Sequence, residues 1–134
     1  MDLAALTLLA AWRWHTLRPP AGALVTCLNV AMSLIWAFAQ QFLAQSFFFL
    51  HFEYLLRSGR RAVLATALLF ASAHIPNPVL VPVTLAGGLI LSEMFRRNRT
   101  LYPLAVAHAL VALALAISVP EAAWRPAMVQ VCSP

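Results

Sequence analysis

The stretch AGALVTCLNVAMSLIWAFAQQFLAQSFFFL, Ala21 to Leu50, runs for 30 residues without a charged side chain. Wound as a helix it is about 45 Å long, which exceeds the roughly 30 Å hydrocarbon core of a bilayer. It predicts a membrane-spanning helix that tilts or protrudes at one end. Pro19 and Pro20 supply its start, and His51, Glu53 and Arg57 mark its emergence.

The rest of the chain reads the same way. Of 134 residues, 63% are hydrophobic and 10% charged, and the mean hydropathy is +0.83. A soluble domain carries about 25% charged residues, and disorder requires low hydrophobicity. The bilayer is the expected solvent. Net charge is +5, supplied by nine Arg and no Lys. The location of this charge argues against a nucleic-acid partner: Arg57, Arg60 and Arg61, then Arg96, Arg97 and Arg99, cluster at the ends of apolar runs, as juxtamembrane charge does.

After the first span, Ala62 to Ile75 is apolar up to Pro76-Asn77-Pro78, where two prolines remove backbone donors and break the helix. Val79 to Phe95 resumes, Leu101 to Val119 follows, and Pro120 stops it. Loops 51–61 and 96–100 are then two passes apart and share one side, the cytoplasmic one by their arginines. The expected fold is an all-α, polytopic transmembrane bundle of about four spans. Its parts are an N-terminal segment over 1–20, read as a truncated helix or surface segment, a transmembrane domain over 21–119 and a tail over 120–134. Leu3 to Trp12 is too short to span and lacks the basic start and cleavage site of a signal peptide. Cys27 and Cys132 imply no disulfide framework. The Ala, Arg, Leu and Pro bias fits a GC-rich bacterial gene, hence a bacterial cytoplasmic membrane.

Polar side chains at membrane depth face protein or an aqueous cavity. At about 100° per residue, Thr26, Asn29, Ser33 and Gln40 share one sector of the first helix, with Gln41 and Gln45 on the adjoining face. Interhelical hydrogen bonding explains such a sector without any chemistry. In the second helix Thr66, Phe70 and His74 recur every four residues, and His108 lies near the middle of the last. A lone imidazole is readily a core histidine bonded to a carbonyl; two at membrane depth strengthen each other as site candidates. Thr84, Gly88 and Ser92 form a small-residue packing ridge, and Glu93 is spaced to pair with Arg96 and Arg97. Two histidines without a third ligand do not make a zinc site, so no metal and no cofactor is expected. Ser33, Ser46, Ser72 and Ser92 lack the surroundings of a serine nucleophile.

The order of these elements resembles the CPBP family of intramembrane proteases, also called the CAAX-protease and bacteriocin-processing, or Abi, family. Its members carry E-E-x-x-x-R, F-x-x-x-H and H-x-x-x-N or H-x-x-x-D on successive helices. Here Gln40-Gln41-Phe42-Leu43-Ala44-Gln45 takes the first place, Phe70-Ala71-Ser72-Ala73-His74 matches the second and His108-Ala109-Leu110-Val111-Ala112 partly matches the third. The likeness covers roughly residues 37–116. It implies peptide hydrolysis in the membrane, with His74, His108, Gln40 and Gln41 at catalytic positions and Gln45, Phe70 and Ala112 beside the substrate. The expected partners are the bilayer and a hydrophobic peptide or membrane protein.

The departures bear on chemistry. A carboxamide cannot serve as a general base near pH 7, so Gln40 and Gln41 cannot repeat the role of the glutamate pair. Gln45 replaces the arginine and Ala112 the Asn or Asp. Three readings follow: a protease with degenerate catalysis in which a histidine is the base, an inactive relative that binds hydrophobic peptides, or a small channel or transporter subunit that uses the polar sector.

Overall fold

The computed structural model describes residues 8, 9, 11, 12 and 22–118. Residues 8, 9, 11 and 12 are helical; most of the N-terminal segment, Pro120, Cys132 and the rest of the tail lie outside the described residues. The described chain is all-helical, with four long helices. The first is continuous from Ala23 to Leu56 and has three parts: α1 (Ala23–Gln41), a π-helical segment (Phe42–Phe49) and α2 (Leu50–Leu56). Then come α3 (Gly59–Ser72), α4 (Leu80–Asn98) and α5 (Tyr102–Ser118). By length and composition Ala23–Leu56 can cross a membrane, and α5 is apolar but shorter.

The long helix shows why local winding matters. Ala37, Gln41, Gln45 and Phe49 are all buried and lie four residues apart. In a regular α-helix a residue four positions on overshoots a full turn by about 40°, so a strict four-residue repeat spirals off its face. The π-helical segment closes i→i+5 bonds and winds more residues into each turn. It under-rotates each step and keeps Gln41, Gln45 and Phe49 on one side.

The boundaries of α3 and α4 have local causes. Ser58 caps α3, its hydroxyl accepting from the Arg61 amide. Asn77 caps α4, its Oδ1 accepting from the amides of Val79 at 3.0 Å and Leu80 at 2.9 Å. The Pro-Asn-Pro break therefore ends one helix and starts the next. At the other end α2 and α4 both stop at an arginine in the left-handed region, Arg57 at φ 47° and Arg99 at φ 54°.

The two arginine loops share one end of the bundle. Both carboxylate oxygens of Glu53 accept from one Arg99 nitrogen, Nη2, at 2.8 Å, and Glu93 accepts from Arg96 and Arg97 as its spacing predicts. The Arg99 guanidinium also lies 5.4 Å from the Phe49 ring centroid and 5.7 Å from that of Phe95. Phe49 and Phe95, edge to face at 5.6 Å, join Ala62, Val63 and Leu104 in the apolar core beneath it.

Halfway along, α3 and α4 meet at a small-residue contact. A Cβ at Gly88 would come within 3.0 Å of the Ala67 Cα and 3.2 Å of its Cβ, whereas one at Gly87 would meet nothing within 4 Å. The two neighbouring glycines should therefore respond oppositely. Gly87→Ala should be neutral or stabilising by up to about 1 kcal/mol through helix propensity. Gly88→Val should destabilise by about 1–3 kcal/mol, because backbone cannot yield as a flexible side chain does. Thermal unfolding midpoints in detergent check both.

Candidate functional site

Above the aromatic core, the buried face of the long helix turns polar. Gln41 is 1% exposed, Gln45 1% and Ser92 0%. Deep carboxamides must find hydrogen bonds inside the protein, and these find one another. Gln45 Nε2 donates to Gln41 Oε1 and to Ser92 Oγ, both at 3.2 Å. Gln41 Nε2 donates to His108 Nδ1 at 2.9 Å. One row of bonds thus ties the long helix to α4 and to α5.

The direction of the row follows from donor and acceptor counting. Inverting Gln41 alone would set its amide N–H groups against those of Gln45. Inverting both would leave both N–H bonds of Gln45 unpaired, while the present arrangement leaves one carbonyl oxygen, a better tolerated defect. His108 Nδ1 is therefore an acceptor, and the proton of the neutral ring sits on Nε2.

His74 is held in the other tautomer. It follows the last turn of α3, and its Nδ1 donates to the Phe70 carbonyl at 2.7 Å. Its Nε2 keeps the lone pair. The Phe70 ring packs edge to face with both imidazoles, at 5.0 Å from His74 and 5.7 Å from His108. No described residue bonds either Nε2. One ring thus offers a free base nitrogen and the other a free N–H donor, with an aromatic wall between them.

Gln45 Oε1 and Thr66 Oγ1 are buried without a hydrogen-bond partner among the described residues. Each such group costs about 1–3 kcal/mol. The acidic side chains among the described residues, Glu53 and Glu93, are engaged with arginines and take no part in the row.

A model of the family described as type II CAAX prenyl endopeptidase Rce1-like matches residues 22–114. The chain belongs to this family. No curated protein and no solved structure matches it. The Rce1-like family is one of membrane-embedded endopeptidases of the CAAX-protease type, which agrees with the CPBP resemblance and with the apolar composition.

Of the residues singled out in the sequence, the structure brings together Gln41, Gln45, Phe70, His74 and His108. Gln40 is half-buried and takes no part in the row, and Ala112 is exposed. The sector of Thr26, Asn29, Ser33 and Gln40 does not form the site: Asn29 is exposed, and the buried carboxamides are those of the adjoining face. Ser92, read from sequence as a packing residue, is the polar anchor of the row. Its signal was available, since a serine on a packed helix face needs a hydrogen-bond partner as well as room.

The tautomers are directly measurable. Solid-state or solution 15N NMR of labelled histidine should show the Nε2–H form for His108 and the Nδ1–H form for His74. Gln41→Leu should remove the first preference and leave the second unchanged. The same form for both rings in the parent protein would contradict the assigned row.

Proposed function

We propose that this Rce1-like chain is an integral membrane endopeptidase with weakened catalysis, in which His74 takes the place of the carboxylate base. It crosses a bacterial cytoplasmic membrane four times, with both arginine loops on the cytoplasmic side. Its substrate is a peptide segment of a hydrophobic or membrane protein, of the CAAX type that the family name describes. The observation that carries this reading is the pair of complementary imidazoles beside Phe70.

In this mechanism His74 Nε2 accepts a proton from water as the oxygen attacks the peptide carbonyl, and returns it to the leaving amine nitrogen as the C–N bond breaks. The Phe70 carbonyl, accepting from Nδ1–H, fixes the ring and leaves Nε2 as the nitrogen that can take the proton. His108 Nε2–H donates to the developing oxyanion, and Gln41 holds that ring in the donating tautomer. Gln45 Oε1 and Thr66 Oγ1 provide an acceptor and a hydroxyl for peptide backbone. A base held by a carbonyl lacks the full charge of a carboxylate partner, so turnover is slow.

A second reading has its own support. The row from Ser92 to His108 is built without a carboxylate, and neutral amides bind peptide backbone at less desolvation cost than charges do. On that reading the site binds a membrane peptide and does not cleave it.

One assay separates the two. The purified chain, reconstituted in lipid, is incubated with a library of membrane peptides. On the first reading one sequence is cut, His74→Ala lowers kcat/KM by about 10²–10⁴ and His108→Ala by about 10²–10³. Saturable peptide binding with no cleavage by the parent would replace the enzyme by the binder.

A further inference from the structure

The arginine end carries more positive charge than its carboxylates balance. Six arginines meet there, Arg57, Arg60, Arg61, Arg96, Arg97 and Arg99, against Glu53 and Glu93. A Cβ at Gly59 would come within 2.9 Å of Arg96 Cδ and 3.2 Å of Glu53 Oε1, so the start of α3 lies against the other loop and the charges form one patch. Both glutamates are taken by Arg96, Arg97 and Arg99. Arg57, Arg60 and Arg61 are exposed and pair with no carboxylate among the described residues. Like charges this close in the chain repel one another, and an anion among them removes the repulsion. Beyond them the outward face of α3 changes character. Leu64 and Leu68 follow Arg60 at four-residue steps and are each 52% exposed, so cationic groups stand at the head of an apolar stripe on one helix face. Beside Arg57, Tyr54 is 83% exposed and Leu55 70%. An exposed tyrosine one turn from a helix-ending arginine marks headgroup depth.

We propose that this face of α3 binds an anionic phospholipid, its phosphodiester held by Arg57, Arg60 and Arg61 and an acyl chain laid along Leu64 and Leu68. Two features of the face select this occupant. Guanidinium groups are planar forks that match phosphate oxygens in pairs, and every basic residue at this end is an arginine. The apolar stripe begins one turn from the cations, which is the layout of an amphiphile charged at one end. An acidic protein segment or a free phosphate would engage the arginines and leave Leu64 and Leu68 bare. Basic residues beside a membrane helix are drawn to anionic headgroups by about fivefold each, so three that lack a carboxylate make a selective site. The lipid stays outside the polar row: Ala62 and Thr66, on the opposite side of α3 from Arg60 and Leu64, are buried. The inference rests on the placement of this end at the membrane surface proposed above and is independent of peptide cleavage.

The test reconstitutes the full chain in vesicles of phosphatidylcholine with a minority of phosphatidylglycerol and extracts it in mild detergent. The ratio of the two lipids retained on the protein is compared with that of the bulk. The parent should hold phosphatidylglycerol enriched about tenfold or more, and Arg60→Gln should lower the enrichment by about two- to fivefold. Arg97→Gln, which neutralises another exposed arginine but one held by Glu93, should leave it unchanged. Replacing Arg57, Arg60 and Arg61 together by Gln should return the ratio to that of the bulk. These side chains are exposed, so the fold stands without them, and an unchanged unfolding midpoint in phosphatidylcholine alone verifies this. Glycerol phosphate and an oligoglutamate peptide, which present negative charge without an acyl chain, should not displace the lipid. A bulk ratio on the parent, equal losses in Arg60→Gln and Arg97→Gln, or displacement by either soluble anion would each overturn the proposal. A chain that never enters the vesicles would overturn the membrane placement beneath it, a result distinct from entry without enrichment.

Discussion

A carboxamide placed where water does not reach must find its hydrogen bonds inside the protein, and Gln41 is the residue on which this constraint falls hardest. Its N–H requires an acceptor and finds His108; its carbonyl requires a donor and finds Gln45, which in turn reaches Ser92. In a membrane each such bond contributes only about 0.6 kcal/mol, while leaving an amide unpaired costs about 1–3 kcal/mol. The row therefore works less as adhesive than as a specification, because arrangements of α4 and α5 that break it are penalised more than the bonds themselves contribute. The same requirement fixes which nitrogen of His108 carries the proton.

One helix links this polar row to a different device at the arginine end. Four-residue steps carry the buried face from Ala37 through Gln41 and Gln45 to Phe49, and one further step reaches Glu53, which holds Arg99. Aromatic packing of Phe49 on Phe95, with the guanidinium over both rings, couples the Glu53–Arg99 ion pair to the apolar core below. An exposed ion pair by itself contributes little; here the rings shield one side of it and the pair joins two loops distant in sequence.

The sequence made the helical architecture legible because charge and proline punctuate it: Arg57 and Arg99 end helices, and Pro76-Asn77-Pro78 lies within the turn between α3 and α4. The pairing of Glu93 with Arg96 and Arg97 was readable from spacing, as was the common face of Phe70 and His74. Other features were not. Which of two adjacent glutamines turns inward depends on a few tens of degrees of helix rotation, and regular winding does not anticipate a π-helical segment. Ser92 was hidden for another reason. A serine among glycine and threonine reads as small, and its hydrogen bond to Gln45 comes from 47 residues away in the chain. Histidine tautomers depend on partners in three dimensions, so composition is silent about them.

The widened turns from Phe42 to Phe49 hold more residues than a regular helix of equal height, so this segment carries surplus chain. Losing one codon there would restore ordinary winding at little local cost. Because eight residues at the smaller π-helical step turn about as far as seven at about 100° each, Phe49 and Glu53 would stay on roughly their present faces. Descendants of this sequence should thus tolerate the loss of one residue here better than in the regular turns of α1, where everything beyond would swing through about 100°.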